Sequence, residues 1–317
     1  MSPIPLSPVC IGRMLVDVPT QAEFRWVQET DVRFTRVPAV TQPEFESHVL
    51  REEELLRAKP HRIEGSLLSE VKVPEPGWRV LFHRNNELDQ IGHRVRGYAW
   101  RDGVGYAIDT VKYDREQFSE VAATLTGSIP RLVPIDNARP TSIPSSGPGF
   151  CIDGALADPV PARIMVGVSI ESFGWKGVSI GVGTSERLGK AEKTGGSGPL
   201  SAFDDFEEVE RGYRERMKYD DEDAVESFDR LRKREVAVGG IPGQETAYKV
   251  ETRAGSVKYG FAWKSLPQES SPVRFSFQLE AGADEYVLDY APPPEATDLF
   301  ALWDAMLASL RQRPGAY

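Results

Sequence analysis

Along most of the chain, apolar positions alternate with polar ones in short stretches, and they take up helical spacing in only a few places. The β-branched and aromatic content of residues 24–37 predicts strand. Thr41 followed by Glu44 predicts a helix start, with Phe45, Val49, Glu52 and Leu56 on one face and Pro60 ending the run. Strands are predicted over residues 66–73, 78–83 and 93–100, and Asp102-Gly103 turns the chain into a further strand over 105–111. Asp114 opens a closing helix that points Phe118, Val121, Ala122 and Leu125 inward and stops at Gly127.

A similar order recurs further on. A hairpin over 163–170 and 178–182 surrounds Gly174-Trp175-Lys176-Gly177, followed by a Gly-rich stretch. Ser201 with Asp204 predicts a helix carrying Phe203, Phe206, Glu210, Tyr213 and Met217 on one face. The three-residue spacing of Val225, Phe228 and Leu231 predicts a second short helix. Strands follow over 234–238, 245–252, 257–264 and 273–280, and a final helix buries Leu299, Leu302, Trp303, Met306 and Leu310. Strands joined mostly by turns, with few helices between them, define an α+β class of mainly antiparallel sheets with helices packed against them.

The two cysteines mark the larger organisation. Val9-Cys10-Ile11 and Phe150-Cys151-Ile152 each open one of the two halves, and the stretch between the halves is rich in Pro, Ser and Gly. We expect an N-terminal domain over 1–138, a linker over 139–148, and a C-terminal domain with a helical insert over 149–317. The cysteines have two readings: small buried apolar groups, or a disulfide tying the domains together. Unpaired burial is the expectation.

Composition then removes several function classes. The net charge is -10, and no basic block exists to neutralise phosphate, so nucleic acid is not an expected partner. No apolar run is long enough to span a bilayer. The first eight residues have no basic start or apolar core and do not read as a secretory signal. Residues 204–226 carry 11 Asp+Glu against 4 Lys+Arg, a composition that could steer a basic partner surface.

Candidate chemistry is sparse. Gly177-Val178-Ser179-Ile180-Gly181 matches the nucleophile elbow of serine hydrolases, which needs a sharp turn from strand into helix and a histidine later in the chain. Ser179 instead sits in the alternation of Val178, Ile180 and Val182, and His48, His61, His83 and His93 all precede it. Zinc spacings and a phosphate-binding loop are absent, and Asp220-Asp221-Glu222-Asp223 lacks the glycine and glutamate of a calcium loop. No metal, cofactor or enzymatic activity is expected.

Several stretches resemble one family. The segment from Val9-Cys10-Ile11-Gly12-Arg13-Met14 to Pro19 is similar to the opening of the bacterial immunity proteins that neutralise family-four lipase effectors of the type VI secretion system (T6SS). Gly149-Phe150-Cys151-Ile152 is similar to the opening of that family's C-terminal domain. Val238-Gly239-Gly240-Ile241-Pro242-Gly243-Gln244-Glu245 and Phe261-Ala262-Trp263 resemble later parts of it, in the same order. The resemblance implies a periplasmic inhibitor that pairs with a cognate lipase or phospholipase and grips its lid or cap. The expected partner-binding residues come from physics, not from the family. Phe173 and Trp175 are aromatic anchors at a hairpin tip, and Asp204, Asp205, Glu208, Tyr213, Asp220 and Asp221 belong to the acid-rich stretch. The alternatives are a serine hydrolase acting through Ser179 and an envelope-binding module without a toxin partner.

Overall fold

The computed structural model describes all residues except 1–3, 31, 39–40, 91, 102, 129–131, 135–148, 153–154, 158–162, 172–174, 188–201, 219–223, 268–272, 283–291 and 316–317. By contacts the chain divides into two units, Met1–Val27 with Met165–Pro314 and Gln28–Ile164 with Gly315–Tyr317. Both are α+β, and every strand pairing described residue by residue below is antiparallel.

The unit around residues 28–164 is built on a five-stranded sheet. Its strands are β4 (Val32–Val37), β5 (Leu68–Lys72), β6 (Trp78–His83), β7 (His93–Arg101) and β8 (Val104–Tyr113), in the order β4-β8-β7-β6-β5. The strand before it, β3 (Glu23–Thr30), belongs to the sheet of the other unit. Helix α1 (Gln42–Ala58) begins at a complete capping box: the Thr41 side chain accepts from the Glu44 N–H, and Glu44 accepts from the Thr41 N–H at 3.0 Å. Its inward face carries Phe45, Val49 and Glu53. Glu53, not Glu52, turns inward because it can be paired there: Arg79 Nε donates to it at 2.6 Å and Arg57 Nη2 at 2.7 Å. Phe45 and Val49 join Leu81 and Tyr98 in one core cluster. The next residue on β6, Phe82, faces the other way and stacks on Phe118 with centroids 3.9 Å apart. Phe118 opens helix α2 (Phe118–Ser128), so alternation along β6 buries one face of the sheet under α1 and the other under α2. A small sheet of β9 (Leu132–Pro134), β10 (Phe150–Ile152) and β11 (Ala155–Ala157) completes the unit.

The other unit carries a seven-stranded sheet, in the order β14-β15-β16-β17-β13-β12-β3. The strands not yet placed are β12 (Arg163–Glu171), β13 (Val178–Arg187), β14 (Val225–Glu235), β15 (Gly243–Thr252), β16 (Val257–Ser265) and β17 (Val273–Ala281). Helix α3 (Ala202–Arg216) packs Phe206 onto Val225, Phe228 and Val250. Helix α4 (Ala296–Ser309) packs Trp303 against the rings of Phe261 and Phe277. On β15, Tyr248 contacts the α3 cluster and Glu245 contacts Trp303, so the two helices cover opposite faces. The hairpin of β1 (Leu6–Ile11) and β2 (Met14–Pro19) is extended by β18 (Arg311–Gln312). Ser309 Oγ at the end of α4 accepts from the Asp17 N–H at 2.8 Å.

Two expectations are corrected. Residues 225–231 form strand, not helix. Register shifts between Val225 and Ser227 and between Arg230 and Arg232 each put an extra residue into β14. A bulge of this kind brings residues three apart onto one face, so Val225 and Phe228 both reach α3 while Leu231 stays 40% exposed. Cys10 and Cys151 are each fully buried in a strand, as expected, but each is disulfide-bonded and neither is a free thiol.

Candidate partner-binding surface

Helix α3 holds four of the expected binding residues: Asp204, Asp205, Glu208 and Tyr213. Asp204 and Asp205 lie in its first turn, where carboxylates favour the positive end of the helix dipole. Asp205 is held by the Lys264 ammonium of β16. Glu207 takes Lys233 Nζ at 2.9 Å. Glu210 is almost fully buried on the apolar face, and Arg214 Nε at 2.8 Å and Arg230 Nε at 2.9 Å supply its partners. Burial opposes charge on Glu210, but hydrogen bonds from Arg230 and Arg214 outweigh it and hold its pKa below the ordinary carboxylate value. Glu208 is exposed. Much of the acidity of α3 is therefore matched by cations of its own unit, which leaves less net field for long-range steering than composition alone implies.

Tyr213 is half-buried, within 5.8 Å of the Phe228 ring and 6.1 Å of the Tyr248 ring, with the Arg216 guanidinium 5.8 Å above it. Trp175 is half-buried at the turn between β12 and β13. Phe173, Asp220 and Asp221 lie outside the described residues.

Ser179 lies inside β13, paired with Glu280 across to β17, and the strand runs on to Arg187. No strand-to-helix turn follows it, so its hydroxyl is not presented as a nucleophile elbow requires. The four histidines all fall in residues 48–93. Among the described residues no group of His, Cys, Asp and Glu is arranged to hold a metal ion, and no helix is long and apolar enough to cross a membrane.

Two polar clusters escaped the sequence reading. Glu245 has no solvent exposure and accepts from Arg232 Nη1 at 2.6 Å, Arg234 Nε at 2.7 Å and Trp303 Nε1 at 2.8 Å. Glu64 receives Arg84 Nε at 2.8 Å and the Ser69 hydroxyl, with His93 Nε2 at 3.1 Å. Burial works against the Glu64 anion, yet these hydrogen bonds and the His93 and Arg84 charges lower its pKa to about 2. Both are anchoring clusters, assembled from residues too far apart in sequence to form a local motif.

The stretches that carry the family resemblance have structural reasons. Gly239-Gly240 turns the chain so that Val238 and Ile241 bridge. Gly243 lies against the Trp263 ring, where a Cβ would come within 2.4 Å of it. Trp263 Nε1 then donates to the Val236 carbonyl at 3.2 Å.

This arrangement of sheets and helices is that of solved T6SS immunity proteins. The chain is similar to one in the crystal structure of the Tle4-Tli4 complex, at 19% identity over 100% of both chains with a TM-score of 0.77. It is also similar to the apo immunity protein TplEi of the T6SS from Pseudomonas aeruginosa, at 20% identity over 98% of both chains and a TM-score of 0.74. TplEi in complex with an "L" peptide matches at 20% identity over 98% of both chains, with a TM-score of 0.69. Residues 7–123 match the Tle cognate immunity protein 4 N-terminal domain, and residues 142–315 match the Tle cognate immunity protein 4 C-terminal domain. The chain belongs to the Tle cognate immunity protein 4 family. No individually curated protein matches it in sequence.

Proposed function

We propose that this protein is an immunity protein that binds a cognate T6SS lipase effector one-to-one and inactivates it by contact, with no catalytic step of its own. The observation that carries this reading is the match to both domains of the Tle cognate immunity protein 4 family, in order, along nearly the whole chain. A structural relative crystallised in a Tle4-Tli4 complex supports a lipase as the partner. The mid-strand setting of Ser179 supports the absence of esterase chemistry.

Inhibition acts on the lipase's lid or cap. A partner that binds the closed state better than the open one shifts the population towards it. Turning a lipase that is 99% open into one that is 99% closed requires a preference of about 5.5 kcal/mol. Phe173 and Trp175 serve as anchors, while Asp204, Asp205, Glu208, Asp220 and Asp221 form the acidic part of the contact and Tyr213 adds an aromatic ring to it. The site of action is the periplasm, a setting supported by the bonded state of Cys10 and Cys151, since disulfides persist in oxidising compartments.

The test is titration of the purified chain into its cognate lipase during phospholipid hydrolysis. Activity falls to zero at one equivalent, and Ser179→Ala inhibits as well as wild type. Hydrolysis by the chain alone that is lost in Ser179→Ala, together with labelling of Ser179 by a fluorophosphonate, would establish the hydrolase reading instead.

A further inference from the structure

Outside α3 and the β12–β13 turn, the unit around residues 28–164 has a pocket between α1 and the strands beneath it. Phe45, Val49 and Leu50 of α1 line one side, and Trp78, Arg79 and Trp100 of β6 and β7 line the other. The cavity is about 200 Å³. That is smaller than the ~300–1,000 Å³ typical of sites for cofactors and drug-sized ligands, and it suits one large apolar side chain.

The pocket is preformed. Phe45 is fixed between the Tyr98 ring at 6.4 Å and the Trp100 ring at 5.4 Å. Gly77, at φ 81°, is part of the lining, and its carbonyl accepts from the Trp100 N–H at 3.1 Å. The left-handed backbone that this turn requires is readily adopted by glycine. Leu50 stands at the rim, 48% exposed on an otherwise charged helix face. The Trp78 indole N–H is buried with no acceptor among the described residues.

Charge at the rim narrows the occupant further. Arg79 pairs with Glu53 at 2.6 Å and shares that carboxylate with Arg57. Glu46 lines the same pocket, and its described partner is the neutral amide of Gln42 at 2.8 Å. The rim therefore presents a carboxylate whose charge is not offset by that bond.

We infer that this pocket is an anchor site for the lipase partner, receiving one large apolar side chain that has a Lys or Arg beside it to meet Glu46. The inference rests on the function proposed above and adds a contact on the α1 side of the molecule. Small numbers of apolar anchors in preformed pockets carry most of the binding energy at protein interfaces.

The experiment measures the affinity of the purified cognate lipase for the full chain carrying Leu50→Arg or Glu46→Lys, with Leu88→Arg as a control. Leu88 is 62% exposed and lies outside the pocket. Leu50→Arg is expected to weaken binding tenfold or more and Glu46→Lys severalfold, with melting temperatures unchanged and Leu88→Arg at wild-type affinity. Glu46 is exposed, so its variant keeps the test valid if Leu50→Arg disturbs folding. Wild-type affinity in both pocket variants overturns this inference and leaves the proposed function intact. A wild-type chain that binds no lipase overturns the proposed function, and the inference falls with it.

Discussion

Trp303 of α4 donates its indole N–H at 2.8 Å to Glu245 of β15, a carboxylate with no solvent exposure. Arg232 lies between this pair and a second acid, Asp304, at 2.6 Å from each. The hydrogen bond to Asp304 comes first in raising the Arg232 pKa above its usual value, with Glu245 adding to it. The arrangement fastens α4 to β14 and β15 at one end of the seven-stranded sheet.

Removing one partner from such a site leaves buried polar groups without an acceptor. Glu245→Ala is expected to cost about 3–5 kcal/mol in urea unfolding. Glu245→Gln, which keeps an acceptor for Trp303, is expected to cost less. Equal losses in the two variants would mean that the negative charge matters and the indole bond does not.

Acid sensitivity is expected to be concentrated at Glu64. Its folded pKa of about 2 lies below its usual value of 4.5, so the ionised form stabilises the fold at neutral pH. That contribution is complete above pH ~4.5 and disappears as pH falls towards 2. At about 1.4 kcal/mol per pKa unit its ceiling is about 3 kcal/mol. Glu64→Gln should be less stable than wild type at pH 7, with the gap closing steadily below pH 4.5. A gap independent of pH would contradict this.

Cysteine chemistry gives a simple count. The denatured, unreduced chain is expected to take up no iodoacetamide, and the reduced chain two equivalents, one at each of Cys10 and Cys151. Reduction should lower stability by about 2–5 kcal/mol. Alkylation before reduction would contradict the bonded state.

The sequence carried the elements more fully than their long-range partners. The capping box at Thr41 and Glu44, the six residues of β6 and the inward face of α2 were all legible, because caps and periodicity are local signals. Strand β14 read as helix because its two register shifts mimic a three-residue period. At the candidate site, the acid-rich α3 was legible but its neutralisation was not. Its cations Arg230, Lys233 and Lys264 lie 20, 26 and 59 residues from the acids they meet. Glu245 read as an ordinary strand position for the same reason: Trp303 is 58 residues away.

The proposed anchor at the β12–β13 turn has its own test. Trp175→Ala is expected to weaken lipase binding tenfold or more without shifting the melting temperature. Glu208→Lys, on the exposed side of α3, is expected to slow association severalfold at low salt and little at high salt, as a rim charge does. Unchanged affinity and rate in both variants would remove this surface from the interface.

The central claim is inhibition by contact. Its most direct measurement is co-elution of the purified chain with its cognate lipase on size exclusion, with phospholipid hydrolysis assayed across the peak. The account predicts a single one-to-one complex in which hydrolysis is abolished. Separate peaks with undiminished lipase activity, or phospholipid turnover by the isolated chain, would contradict it.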